Sequence, residues 1–172
     1  VYNTALLEGN AEAAACACAE EVRMRMAKTG SRELFFVANL PHHDHWVLLQ
    51  LTGGGYVTAF GSIDDFSPFS LSNVGPHDLN HAHLFLTLLA QKVGLSEVKS
   101  GMQFAPDLPQ QSNEADCGVF CLLFLRHLAV PNEDGESGTV VLRKEMGGRA
   151  FRKRSAVASE ERLRLIEDIV RL

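Results

Sequence analysis

Between Leu34 and Phe60 the chain carries three short apolar runs, LFFVA (34–38), WVLLQL (46–51) and YVTAF (56–60). The first lacks polar alternation and reads as a buried strand. Gly53, Gly54 and Gly55 separate the second from the third and permit a tight reversal, so these two are expected as a hairpin. The fold must therefore bury a small apolar sheet, and the rest of the chain has to supply helices that flank it.

Those helices are legible. Ala11 to Lys28 is built of Ala, Glu, Arg and Met, all good helix formers, with Gly30 as its stop. Glu12 early, and Arg23, Arg25 and Lys28 late, suit the helix dipole. A second helix opens at Pro76 or Asp78, runs to Val93 and closes at Gly94. Leu79, Ala82, Leu86, Leu89, Ala90 and Val93 form its core stripe. Cys117 to Leu128 is strongly apolar and long enough for a buried helix. Ser159 starts a final amphipathic helix with Leu163, Leu165, Ile166, Ile169 and Val170 on its apolar side. Val98 to Phe104 is a further strand, and residues 1–10 carry no clear signal. With no internal repeat and no long linker, 172 residues suit one domain.

Composition excludes several classes. A chain 46% hydrophobic and 22% charged is no collagen, coiled coil or disordered tail. A net charge of −5 argues against a general nucleic-acid binder. The longest apolar run, Val119 to Leu125, is seven residues, far short of the ~20 that span a bilayer. The N-terminus has no signal-peptide pattern. Four cysteines in a chain of this size need not pair, which points to a reducing compartment, cytoplasmic or nuclear, with thiols free or catalytic.

The chemistry concentrates on a histidine and a cysteine far apart in sequence. His45 stands at the mouth of the WVLLQL strand and Cys117 at the start of the apolar helix. A thiol at a helix N-terminus feels the positive end of the dipole, which favours its thiolate. The N–H groups there can hold an oxyanion, and an imidazole can pair with the thiolate and later protonate a leaving group. Gln111, six residues before Cys117, offers a further amide donor. Gly118 would let a substrate approach the nucleophile closely.

Other features read as structure. His42, His43, Asp44 and His45 are too crowded to face one metal ion together, and no zinc-type spacing accompanies them, so no metal is expected. Cys16, Cys18 and Cys121 read as packing cysteines. Gly53 to Gly55 lacks the Lys-Ser/Thr of a phosphate loop. The basic run Arg143 to Arg154 reads as solvated surface, with an acidic partner or a nuclear signal as the alternative. His77, His81 and His83 are expected at the surface, without a role.

The wording around these positions is more specific than a Cys and a His. His45-Trp46 opens a strand, and residues 109–120 read PQQSNEADCGVF. The order His-Trp, then Gln-x-Asn-x-x-Asp-Cys-Gly, resembles the Ulp-type cysteine proteases, which remove ubiquitin-like proteins such as SUMO. Within that family it most resembles the deneddylase branch. The resemblance covers about 34–128. It implies an α+β cysteine-protease fold of the Ulp/adenain-like kind, with a small central mixed sheet flanked by helices and the nucleophile at the N-terminus of a central helix. It implies one protease domain over residues 1–172, without part of the usual N-terminal half, since the Trp-Leu-Asn-Asp-like stretch that binds the modifier's body is not found.

By the same resemblance Cys117 is the nucleophile, His45 the general base and acid, Gln111 the oxyanion-hole residue and Trp46 the aromatic covering the substrate's Gly-Gly tail. Asp116 is a structural neighbour. The family's third catalytic group, an Asp, has Gly61 in its place here. Asp64 is the candidate substitute, with Asp65 beside it. The implied reaction is hydrolysis after the C-terminal Gly-Gly of a modifier such as Nedd or SUMO, by a monomer that needs no cofactor. The partners implied are the modifier and its conjugates, with no nucleic acid and no membrane. Two alternatives stay open: a catalytically impaired pseudoprotease that binds a ubiquitin-like protein, and a Cys-His acyltransferase on the related fold.

Overall fold

The computed structural model describes residues 2–3, 10–40, 45–61, 76–105, 108, 116–129 and 164. Its elements are, in order, β1 (Tyr2–Asn3), α1 (Ala11–Thr29), β2 (Leu34–Leu40), β3 (His45–Leu51), β4 (Val57–Phe60), α2 (Pro76–Val93), β5 (Met102–Phe104) and α3 (Cys117–Ala129). The fold is the expected α+β one. The strands form one mixed sheet in the order β1-β2-β3-β4-β5. β2, β3 and β4 run antiparallel in sequence, while β1 and β5 join in parallel at the two edges. The final helix expected from Ser159 lies outside the described residues, except for Arg164, which is helical. Among the described residues no helix is long and apolar enough to cross a membrane.

The sheet is covered on both faces, and this explains the weak polar alternation of its strands. Phe36 and Ala38 of β2, Val47, Leu49 and Leu51 of β3, and Val57 and Ala59 of β4 pack with α1 and α2. Phe35 and Val37, Trp46 and Leu48, and Phe60 point the other way, into a second cluster with Phe120, Cys121, Leu123 and Phe124 of α3. Each buried large side chain contributes about 1.5–3 kcal/mol by leaving water. Aromatic pairs anchor both sides. Phe36 meets Phe85 edge-on at 5.6 Å, and Phe124 lies 6.4 Å from Phe60 and 6.0 Å from Phe120.

Caps fix the helix ends. The Asn10 side chain accepts hydrogen bonds from the N–H groups of Glu12 and Ala13 at 2.9 and 3.2 Å, satisfying donors that the first turn leaves open. Gly30, at φ 69°, ends α1 and donates its N–H to Met26 O. Arg23 of α1 donates through Nε and Nη2 to Lys92 O, at 3.0 and 2.8 Å, and so ties α1 to the last turn of α2.

Two expectations change. The strand expected over Val98 to Phe104 shortens to Met102–Phe104. Val98 is drawn into the α1/α2 core, Lys99 donates its N–H to Gly55 O, and Gly101 turns the chain at φ 93°. Cys16 is exposed rather than packed, because α1 buries Ala14, Ala15, Cys18, Ala19 and Val22 and turns Cys16 outward.

Candidate active site

Four points of the chain come to the same end of the sheet. β3 begins there with His45, paired with Leu40, the last residue of β2. β4 ends there at Phe60, followed by buried Gly61. β5, parallel to β4, leaves in the same direction, with Ala105 N–H bonded to Ala59 O. The fourth point is the start of α3. Leu125 and Leu128, late in α3, line a groove of about 460 Å³ with Leu34 and Phe35, and Leu34 and Phe35 pair with Leu51 and Gln50 at the far end of β3. α3 therefore runs alongside β3 in the same sense, and Cys117 begins it at the His45 end.

Cys117 is the first residue of α3 and is 4% exposed. Asp116 precedes it in the N-cap position, its carbonyl accepting from Phe120 N–H at 3.0 Å. The N–H groups of Cys117 and Gly118 thus belong to the open first turn, where the helix dipole is positive. This is a setting that can hold a developing oxyanion.

Cys121, one turn later, is a different thiol. Burial among Leu48, Phe60 and Phe124 pushes it well above the ordinary thiol range, and the proximity of Cys117 adds to the shift. Desolvation also raises Cys18, less strongly. Both remain thiols at neutral pH, as their reading as packing residues requires.

His45 is 2% exposed, and its Nε2 is buried. His45 and Asp116 are the buried polar side chains among the described residues. The alternation along β3 assigns His45 to the face of Val47 and half-buried Trp46 to the face of α3. Continuing the β3–β4 register past Leu48–Phe60 sets Gly61 opposite Val47, diagonal to His45 on the same face. That is a position from which a side chain could reach the imidazole.

The structure thus gathers His45, Trp46, Gly61, Cys117 and Gly118 at one end of the molecule. Gln111, Asp64 and Asp65 lie outside the described residues, as do His42, His43 and Asp44. Leu108, in the segment leading to Gln111, is buried in the α3 cluster. His81 is exposed, and half-buried His83 bonds through Nε2 to Lys99 O. Among the described residues no three His, Cys, Asp or Glu side chains gather to hold a metal ion. Sequence reasoning treated Asp116 as a neighbour without noting its capping place, although an Asp directly before an apolar helical run is a known N-cap signal.

Residues 78–165 match the family model described as the Ulp1 protease family, C-terminal catalytic domain. The matched segment contains Gln111, Cys117 and Gly118 and begins after His45, Trp46 and Gly61. No curated protein and no solved structure matches the chain.

Proposed function

From the premise that this chain belongs to the Ulp1 protease family, cysteine peptidases of ubiquitin-like modifiers and their conjugates, we propose that it hydrolyses the bond after the C-terminal Gly-Gly of a Nedd- or SUMO-type modifier. What carries the reading is the position of Cys117. It opens an apolar helix within the family-matched segment, at the sheet end where β3 begins with His45. The deneddylase branch is favoured by the His-rich loop leading into His45-Trp46.

In this reading the thiolate of Cys117 attacks the carbonyl carbon of the terminal glycine and a C–S bond forms. The Cys117 N–H and the Gln111 amide hold the oxyanion. His45 gives its proton to the leaving amine as the C–N bond breaks, then takes a proton from the water that cleaves the thioester. Because His45 and α3 belong to opposite faces by alternation, the imidazole meets the thiol around the end of the sheet. Trp46 covers the substrate's tail. Asp64 takes the carboxylate place that Gly61 leaves empty, folding back to the imidazole. If it does not, Cys117 and His45 work as a dyad, which a thiol tolerates better than a hydroxyl does because it is already partly ionised near neutral pH. The enzyme acts as a monomer in a reducing compartment.

Gly61 also favours a second reading, a binder of ubiquitin-like proteins that no longer cuts them. Covalent capture separates the two. Ubiquitin, SUMO and Nedd-type modifiers with a thiol-reactive C-terminal group are mixed with the parent and with Cys117→Ala. An adduct lost in the variant supports the protease and names its modifier. Binding without any adduct would sink the protease and leave the binder.

A further inference from the structure

The face of β2 and β3 that meets α3 carries three cross-strand pairs, Phe35–Gln50, Val37–Leu48 and Asn39–Trp46. Two of these six residues are polar. Gln50 stands at the far end of the sheet, where its Nε2 donates to Glu33 Oε2 at 3.2 Å. Asn39 stands at the other end, one residue before β2 stops, and is half-buried. Asparagine is depleted in strands, and valine would suit both the strand and the apolar face better. The pairing of β2 with β3 needs no amide there, because its hydrogen bonds are main-chain ones. Yet this is the end of the face at which α3 begins with Cys117. Cβ atoms of a cross-strand pair lie about 4.5–5.5 Å apart, so the Asn39 amide stands beside the Trp46 side chain.

We infer that Asn39 is a substrate-binding residue, whose amide hydrogen-bonds the main chain of the extended acyl tail as that tail passes Trp46 on its way to Cys117. The inference rests on the reading of Cys117 as the nucleophile and of Trp46 as the cover of the tail. An asparagine amide has two N–H donors and an oxygen with two acceptor sites. An extended chain presents N–H and C=O groups in alternation, so one amide can serve both and still keep the contacts that Asn39 makes within the protein. Trp46 supplies contact area with little direction. Asn39 supplies direction: its bonds ignore the tail's side chains but fix its register, so that the carbonyl to be attacked arrives at the first turn of α3.

The test uses the whole chain and two aldehydes, N-acetylglycinal and an acetylated tetrapeptide ending in Gly-glycinal. The Cys117 sulfur adds to the aldehyde carbon and the thiol proton passes to oxygen, giving a hemithioacetal with no leaving group. Occupancy is read by mass spectrometry as protection of Cys117 from iodoacetamide. The parent should be protected by the tetrapeptide at a concentration about fivefold or more below that needed of N-acetylglycinal, as two neutral hydrogen bonds would give. Asn39→Leu keeps the branched shape without the amide. It should be alkylated at the parent's rate without peptide and need the same N-acetylglycinal, yet require about fivefold or more extra tetrapeptide. An equal length advantage in parent and variant, a loss shared by both aldehydes, or no protection of the parent by the tetrapeptide would overturn the assignment. Should Asn39→Leu fail to fold, Asn39→Val, which suits the strand, is read in the same way. A length advantage that depends on Asn39 in a chain that captures no modifier would sink the modifier reading alone. Capture of a modifier at equal rates by parent and Asn39→Leu would sink the Asn39 assignment alone.

Discussion

Replacing Gly55 with alanine should be the most damaging single-methyl change in the β3–β4 hairpin. Gly55 has φ 81°, and a Cβ there would stand 2.1 Å from the carbonyl oxygen of Glu97, 3.0 Å from its carbon and 3.4 Å from Val98 Cα. Carbon contacts are comfortable at about 3.5–4.0 Å, so backbone must retreat by roughly an ångström or more, and a carbonyl cannot swing aside as a side-chain tip does. Retreat pulls on the 2.9 Å bond from Lys99 N–H to Gly55 O. The left-handed backbone costs a non-glycine residue about 1–2 kcal/mol, overpacking about 1–3 kcal/mol, and the lost hydrogen bond about 0.5–1.5 kcal/mol. The sum, about 2.5–6.5 kcal/mol, is a large part of the ~5–15 kcal/mol that holds a typical domain together.

Urea unfolding followed by the fluorescence of Trp46, the only tryptophan, measures this directly. The controls are Gly30→Ala and Gly94→Ala. Both sites have left-handed φ, 69° and 74°, but no atom of the described residues lies within 4 Å of a new Cβ, so only the backbone cost of about 1–2 kcal/mol applies. A Gly55→Ala loss no larger than that of Gly30→Ala would refute the close approach of Glu97 and the reasoning built on it.

Phe124→Ala should cost about 3–5 kcal/mol in the same assay by leaving a cavity between Phe60 and Phe120, and a loss under about 1 kcal/mol would mean the α3 cluster is not close-packed. Asn10→Ala should cost about 1 kcal/mol through loss of the α1 cap, and no change would show the cap to be dispensable. The Cys121 thiol stays protonated in the folded chain and ionises near the ordinary value when unfolded. Its contribution is therefore complete below about pH 8.5 and declines above it by about 1.4 kcal/mol per pH unit. Cys121→Ala should flatten the loss of stability between pH 9 and 10 by about that much, and an unchanged slope would argue against the buried thiol. Gly61→Asp sets a carboxylate diagonal to His45 and should speed modifier capture by orienting the imidazole, and an unchanged rate would show that position 61 does not reach the imidazole.

The hairpin, the helix ends and the buried helix from Cys117 are legible because local chemistry decides them: three glycines, Gly30 and Gly94 as stops, and an unbroken apolar run. The edges of the sheet are not, because β1 offers two residues and β5 is cut to three by the Lys99 bond to Gly55 and the turn at Gly101. Cys16 was misread because α1 is Ala-rich on every side, and small residues do not declare a face. At the site, the His-Trp and Asp-Cys-Gly words single out His45 and Cys117. Their arrival at one end of the sheet depends on the direction of α3, which no local pattern contains. The same holds for the burial of Asp116.

The two-faced sheet also limits how the length of this chain can vary. A one-residue deletion at the start of β3, ahead of Val47, would send Val47, Leu49 and Leu51 toward α3 and turn Leu48 toward α1 and α2, exchanging the two cores at once. Insertions and deletions are therefore confined to the connections. His45, Gly61 and Cys117 all stand where an element meets a connection. A change of one residue in such a link re-aims the reacting groups without disturbing either core, so new substrate preferences can arise through length as readily as through residue identity.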